Sequence, residues 1–484
     1  MLTYDLDMRG NATRYHYLYL CIKHDIETGV LVAGDRLPSK RTLARHLSTS
    51  LITVETAYEQ LIAEGYIRSE TRRGYYVNHI TCQSKPAQAR TTSLAKSLVA
   101  TPASNRIPTL QNDTHHYEFD LTQGQLSSCY FPCTAWAKAA KETITPESMA
   151  LASADCDCFG LLTLRQEIAR HLFETRGLIV NPAHILIGAG AQVLYNLIIQ
   201  LLGPTMHVGL EDPGYPRLTQ IYHQTGIQTD TLPLDDSGLM VDTLRHTHVN
   251  VAHIMPSHQF PTGIIMPISR RYELLGWATE EPNRYIIEDD YDCEFKLAGK
   301  PVPTLKGIDA NERVIYANTF SKSLGMAVRV AYIVLPPHLA DQFRHELSFY
   351  TCTVSAFDQL TLATFMHNGS YERYVNKTRT KCRAIRNALI NALEAQDTRG
   401  QITFSSIDSG LHFIMSVRGV QSPELLQKQF RNQDIHVFTL ADYARTDTHE
   451  GALDFIVNYP NISLDDVAEL ADSIMAAINQ ATVA

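Results

Sequence analysis

Two residues thirty-three positions apart could carry chemistry in this sequence. Asp289 stands in "RYIIEDDYDCEF", just past an apolar run that reads as a buried strand. Lys322 stands in "RVIYANTFSKSLG", just past another. Ligands of open α/β sheets bind in the crevice outside the carboxyl ends of the strands, where a carboxylate and an amine could meet on one molecule. A lysine forms a Schiff base with an aldehyde, and a carboxylate holds a ring nitrogen protonated. Pyridoxal 5′-phosphate (PLP) uses both. Each residue alone is a weak signal. A lysine after a strand is usually a surface residue, and Asp289, Asp290 and Asp292 could equally hold a metal or line a solvated loop.

Other residues stand in the order that such a site requires. "GAGAQVLYNLI" follows a strand and opens a helix, so backbone N–H groups near Ala191 and Gln192 could hold a phosphate. "EDPGYPR" supplies Tyr215 to stack on a ring, and "PSHQFPTG" makes a turn carrying His258 near the crevice. Tyr291 could reach the ring hydroxyl, Ser321 precedes Lys322, and Arg329 offers a planar fork for the phosphate.

The elements that must position these residues are short apolar runs alternating with helical patterns from residue 118 onward. Candidate strands are "HILIGAG", "MHVGLED", "VNVAHIM", "RYIIEDD", "RVIYANTF" and "VRVAYIVL". Such alternation predicts an α/β domain with a mostly parallel sheet over 118–370. Residues 371–484 open with a charged helix, continue with strand-like "GLHFIMSV" and "ALDFIVNY", and close with a helix, a smaller α+β domain.

The first 80 residues follow a different pattern. Leu18, Ile22 and Ile26 share one face of a first helix. Ser39 can cap a short helix, and Thr49 or Ser50 the next, whose Val54, Ala57, Tyr58, Leu61 and Ile62 follow a helical stripe ending at Gly65. Two β-prone stretches joined by Thr71–Gly74 complete a helix-turn-helix with a wing. Residues 81–117, with Pro86, Pro102 and Pro108 and many small polar residues, read as a linker.

Net charge is −9, which argues against a nucleic-acid coat over the whole chain, but residues 1–80 carry +1 and the remainder −10. Arg36, Lys40, Arg41 and Arg45 form a basic edge with no acid between Arg36 and Arg45. The start "MLTYDLDMRG" lacks the apolar core of a signal peptide, and no apolar run approaches membrane-spanning length. The nine scattered cysteines show no zinc spacing. A cytoplasmic protein with free thiols is expected.

"LPSKRTLARHL", "TVETAYEQLIAEGYI" and "RRGYYV" resemble the winged helix of GntR-type bacterial regulators over residues 14–78. The resemblance implies double-stranded promoter DNA as partner, read by the second helix of the pair, with Lys40, Arg41, Thr53, Arg72 and Arg73 as candidate contacts. This chain has Leu51 and Ile52 where such regulators often carry polar or basic residues. With "EDPGYPR", "PSHQFPTG", "IIEDDYDCEF" and "TFSKSLG", nearly the whole chain resembles the MocR/GabR-type regulators, a GntR winged helix fused to an aminotransferase-like domain of PLP fold type I. That implies Lys322 as the Schiff-base lysine, Asp289 at the ring nitrogen, Tyr291 at the ring hydroxyl, Tyr215 on the ring face, Arg329 on the phosphate and Arg217 on the effector side. It also implies a domain-swapped, head-to-tail homodimer.

Two departures bear on function. Phe260 stands where catalytic aminotransferases place an Asn before the "PTG" turn. Ile456 falls where they carry the arginine that grips the substrate carboxylate, with Arg418 and Arg445 as candidates to compensate. The expectation is a regulator that senses PLP or an amino-acid-like effector, with a link to vitamin B6 metabolism. The alternative is a working aminotransferase with an accessory DNA-binding domain, and a residual half-reaction stays open in either case.

Overall fold

The computed structural model describes residues 4, 13–47, 49–70, 74–79, 115–124, 126–154, 157–297, 302–408, 410–420, 422–445 and 453–482. Arg72, Arg73 and nearly all of the expected linker lie outside them.

The N-terminal unit is a three-helix module with a small sheet. Its elements are α1 (Arg14–Glu27), β1 (Arg36–Leu37), α2 (Lys40–His46), α3 (Leu51–Ala63), β2 (Ile67–Glu70) and β3 (Gly74–Val77). Ser39 caps α2 through Thr42 N, and Ser50 caps α3 through Thr53 N, meeting N–H groups that a first turn leaves unpaired. The stripes bury Leu18, Tyr19, Ile22 and Ile26 of α1 against Val54, Ala57, Tyr58 and Leu61 of α3. Gly65 follows α3 with φ +78°, a conformation that costs glycine little. Sequence reading missed β1, which pairs with β3 through two residues only.

After β4 (Phe119–Asp120) come α4 (Cys133–Thr143), α5 (Pro146–Ser153) and α6 (Leu162–Arg176). The large domain continues with β5 (Ile185–Gly188), α7 (Ala191–Leu202), β6 (His207–Asp212), α8 (Pro216–Gln224), β7 (Gln228–Asp235), β8 (Gly238–Leu239), α9 (Val241–Arg245) and β9 (Val251–Ile254). Then come α10 (Ile268–Glu280), β10 (Tyr285–Asp289), α11 (Leu305–Ile308), β11 (Val314–Thr319), β12 (Ala331–Val334), α12 (Pro337–Glu346) and α13 (Ala356–His367). The strands form one sheet in the order β5-β12-β11-β10-β9-β6-β7-β8. It is parallel except that β12 opposes both neighbours and β8 opposes β7.

Side-chain alternation divides the core between the two faces of the sheet. Leu186, Ile315 and Ile333 join one apolar cluster; Ile187, Tyr316 and Tyr332 join the other. Burial on both faces explains why these strands appear in the sequence as unbroken apolar runs. The exception is β7, "QTDTLPLD", whose mixed polarity hides it from that criterion.

The C-terminal domain contains α14 (Ser370–Gln396), β13 (Ile402–Ser405), β14 (His412–Val417), α15 (Pro423–Asn432), β15 (Ile435–His436), β16 (Phe438–Thr439), β17 (Leu453–Asn458) and α16 (Val467–Ala481). An antiparallel sheet β13-β14-β17-β16 shares its core with α14, α15 and α16. The early strand β4 pairs with β15, so the chain around residue 119 is built onto this C-terminal domain rather than onto the large sheet.

Candidate functional site

The carboxyl ends of β10 and β11 lie side by side, with Asp289 opposite Ala317. Asp289 is buried at the end of β10. Its Oδ2 accepts a 2.6 Å hydrogen bond from the Tyr195 hydroxyl on α7 and faces His253 Nε2 of β9 at 3.8 Å. The Tyr222 hydroxyl lies 2.8 Å from His253 Nδ1 and fixes that ring. Burial and the Asp289 charge push the Tyr195 hydroxyl far above the ordinary range, so it remains a donor at any working pH.

Lys322 follows β11. Its Nζ donates to the Gly124 carbonyl at 2.6 Å and lies 5.5 Å from the centre of the Tyr291 ring. A Cβ on Gly124 would stand 3.1 Å from that Nζ and 2.7 Å from Asn458 Oδ1, so only glycine leaves the amine room. Burial pushes the Lys322 ammonium below its usual range, with Asp292 opposing. That favours the neutral amine that condenses with aldehydes.

A cluster of ionisable groups backs the lysine. Asp292 Oδ2 lies 2.8 Å from His258 Nδ1, and the Tyr291 hydroxyl lies 3.2 Å from the same nitrogen. His258 packs 4.9 Å from His412, whose Nε2 meets the Pro261 carbonyl at 3.0 Å. Burial, then the neighbouring His258, lowers His412 to about 3. Burial would raise Asp292, but His258 and Lys322 outweigh it and hold the carboxylate ionised. On the other side, buried Glu211 is pushed up to about 8 although Met255 N donates to it.

The opposite end of the crevice is shaped for an anion. Gly190, at φ +91°, precedes α7, so the helix presents the N–H groups of Ala191 and Gln192 unobstructed. A Cβ on Gly190 would fall 2.7 Å from Arg329 Nη2, which places the guanidinium directly over that helix end. Ser321 sits on the connecting turn, its N–H bonded to Thr319 Oγ1. Together with the lysine and carboxylate, this anion pocket fits PLP. When bound, that cofactor supplies an aldehyde for the amine and a pyridine nitrogen for the carboxylate.

Tyr215 lies edge-on to Phe260 at 5.8 Å. Burial raises its hydroxyl, while the nearby Arg217 guanidinium lowers it. Phe260 also contacts Tyr443 at 5.2 Å, and Tyr443, Ile414 and Ile456 form an apolar cluster against it. Ile456 is fully buried and paired with Ile414 across β17 and β14. Neither expected substitute arginine restores a carboxylate fork. Arg418 is exposed past Val417, the end of β14 away from His412. Arg445 Nη2 donates to the Glu211 and Leu210 carbonyls, and its N–H to Asp212.

On the winged helix Arg41 is exposed. Lys40, expected as a DNA contact, bonds Glu55 at 2.7 Å across the two helices. The Thr53 hydroxyl lies 2.8 Å from the capping Ser50. Ile52 protrudes, 73% exposed. Sequence reading missed Tyr195, His253, Gly124 and His412. Tyr195 lies one helical turn past Ala191, and His253 is the one ionisable side chain in the run "VNVAHIM", a signal that alone does not distinguish a satisfied core histidine from a site residue.

Fold and site together define a DNA-binding module joined to a PLP-binding domain of the aminotransferase type. Residues 118–474 match the family model for class I and II aminotransferases, and residues 14–77 that of the gntR family of bacterial regulatory proteins. The chain is 36% identical over 403 residues to the HTH-type transcriptional regulator YdeL of Bacillus subtilis, covering 83% of this chain and 84% of that one. It is 31% identical over 431 residues to the pyridoxine biosynthesis transcriptional regulator PdxR of Corynebacterium glutamicum, covering 87% of each. MocR of Rhizobium meliloti, a probable rhizopine catabolism regulatory protein by name, is 27% identical over 98% of this chain and 95% of its own. The kynurenine aminotransferase of Pyrococcus horikoshii superposes with a TM-score of 0.65 at 22% identity, covering 77% of this chain and 93% of that one, a likeness of fold. The chain belongs to the MocR-type transcriptional regulators of the GntR superfamily, with an aminotransferase class I and II domain that takes PLP as cofactor. Among the described residues, no helix is long and apolar enough to cross a membrane.

Proposed function

We propose that this regulator binds promoter DNA through its winged helix and senses PLP itself, controlling genes of vitamin B6 metabolism from the bacterial cytoplasm. The observation that carries this is the apolar cluster of Ile456, Ile414 and Tyr443 against Phe260. An amino-acid effector needs a cationic fork there for its carboxylate. Charge-assisted hydrogen bonds contribute about 1.5–3 kcal/mol each, and a desolvated carboxylate facing isoleucine forgoes them. PLP needs no such fork, because its own anion belongs at the other end of the crevice. The relative PdxR, named for pyridoxine biosynthesis, supports the same reading.

In this reading Lys322 holds the cofactor covalently and Asp289 holds its ring nitrogen. Tyr291 meets the ring hydroxyl, and Tyr215 covers the ring face. Ala191, Gln192, Ser321 and Arg329 hold the phosphate, with Arg217 at the effector side. Arg41, Arg72 and Arg73 contact DNA, whereas Lys40 and Thr53 brace the helices through Glu55 and Ser50. Binding shifts a population toward the form in which the C-terminal domain is closed on the large one, and a homodimer then presents its winged helices to paired half-sites.

The test is a titration of apo protein with PLP while its affinity for a selected DNA duplex is measured. A shift in DNA affinity with PLP alone is expected. Unchanged affinity with PLP, together with a response to some amino acid, overturns the reading in favour of an amino-acid sensor.

A further inference from the structure

The winged helix does not complete its core alone. Ile268, the first residue of α10 in the large domain, is fully buried within the winged-helix cluster, with Tyr272 and Ile308 packed on its edge. The backbone seals the contact, since Ile268 N–H donates to the Glu64 carbonyl at 3.2 Å. Gly65 brings the chains close, a Cβ there standing 3.3 Å from Pro267 Cβ. Glu27 of α1 accepts from Tyr66 at 2.6 Å and from Tyr272 at 3.1 Å, joining the units a second time. The seat is filled here by the winged helix of the same chain. The exchange implied by the resemblance would set a second copy's winged helix on the same surface.

The seat lies at the base of a loop whose tip forms the wall of the cofactor crevice. Residues 256–266 fold back on themselves through Met266 N to the Pro256 carbonyl (2.9 Å) and Gln259 N to the Ile264 carbonyl (2.9 Å). The tip carries Phe260 and is held by the C-terminal domain. Ser406 Oγ donates to the Thr262 carbonyl at 2.8 Å, and His412 lies against Pro261. A Cβ on Gly263 would fall 2.4 Å from Ser406 Cβ, so the two domains touch there without slack. The base is clamped by fully buried Arg271, whose guanidinium donates to the Pro256 and Met266 carbonyls and pairs with Glu288, the residue before Asp289. Closely packed elements of this kind transmit displacement instead of absorbing it.

We propose that residues 256–268 are the coupling element of this protein: closure of the C-terminal domain on the crevice moves the Phe260–Gly263 tip and, through Pro267 and Ile268, the seat on which the winged helix rests. This rests on the proposed sensing of a ligand in the crevice, and its test has its own readout. Amide hydrogen exchange is compared with and without PLP in the full chain, in Ile268→Ala and in Ser406→Ala, while PLP occupancy is followed by absorbance and DNA affinity separately. In the parent, PLP is expected to change exchange by at least threefold both at 256–268 and at 61–67, across the seat. In each variant the change at 61–67 should fall by at least half while PLP still binds; Ser406→Ala removes one hydroxyl far from the seat and keeps the test valid if Ile268→Ala folds poorly. No change at 61–67 in the PLP-loaded parent, or an undiminished change in both variants, overturns the proposal. DNA affinity that ignores PLP while exchange at 61–67 responds would instead overturn the sensing function and leave the coupling standing.

Discussion

The winged helix and the cofactor crevice rest on different physics. The former is held mainly by apolar side chains at helical spacing, its one fully buried carboxyl among the described residues, Glu64, being met by the Tyr19 hydroxyl, and nearly every contact in its core is between residues of one short stretch, Ile268 apart. The crevice is held by buried charges, and its members come from α7, α8, β9, β10, β14 and the loops that carry Gly124, His258, Asp292 and Lys322. Apolar burial is roughly additive and tolerant of exchange. Buried charges stay put only while every partner is present, because removing one leaves another unpaired. The first region should fail gradually and locally, the second all at once and with a dependence on pH.

The largest expected effect is in the crevice. Lys322→Ala should abolish the absorbance of the lysine-linked cofactor and all borohydride-trappable PLP, while thermal unfolding of the winged helix is unchanged. A variant that still traps PLP at one site would show that the amine lies elsewhere. Leu61→Ala is the matching change in the other region. Truncating a fully buried leucine should cost about 2–5 kcal/mol of winged-helix stability, leaving the cofactor spectrum intact. Loss of PLP binding in Leu61→Ala would erase the contrast between the two regions.

Acid provides a smaller, reversible test. His412 is neutral in the fold, lowered to about 3 from an unfolded value near 6.5. A base whose folded pKa is lowered contributes nothing unfavourable above about pH 6.5, and its burial costs progressively more as pH falls from there toward 3. Glu211, raised to about 8, has the opposite sign: its ionisation costs stability as pH rises from about 4.5 to 8. The two slopes oppose each other between about pH 4.5 and 6.5, so stability of the cofactor domain should fall below about 4.5 and above about 6.5, by up to about 1.4 kcal/mol per pH unit. His412→Gln should flatten the acid limb alone, read from denaturant midpoints between about pH 3 and 4.5, below the range in which the two groups oppose each other. An unchanged acid limb would remove His412 from the account.

How legible each region was follows from the same contrast. The helical stripes, the caps at Ser39 and Ser50, and the strands buried on both faces leave a one-dimensional trace, since period and polarity are local properties. The strand β7 left none, because it is only half-buried, covered on its outer side by the two-residue β8, and keeps Thr and Asp among its apolar residues. Asp289, Lys322 and Arg329 were legible by their order along the chain, but Tyr195, His253 and His412 were not, because their meaning lies in partners 36 to 151 residues away. The partner of Lys40 was hidden for a related reason. A basic residue on a basic edge looks available until Glu55, fifteen residues on, is seen to hold it.

The smallest expected effect concerns what the winged helix can read. Ile52 protrudes from the first turn of α3, beside Leu51 at 41% exposure, where a recognition helix meets base edges. Neither side chain can donate or accept a hydrogen bond, so neither can distinguish guanine from adenine by the usual polar pairs. An aliphatic group in the major groove can still meet the thymine methyl. Burying one methyl contributes about 0.8 kcal/mol, about fourfold in affinity. Replacing thymine by uracil at the responsible position of a selected duplex should cost that fourfold in the parent and nothing in Ile52→Ala. Arg41→Ala should instead weaken binding to all duplexes alike and reduce its salt dependence. If uracil is equivalent to thymine everywhere in the site, the exposed isoleucine does not read bases, and the contrast between a sequence-reading surface and a chemistry-bearing crevice must rest on the basic edge alone.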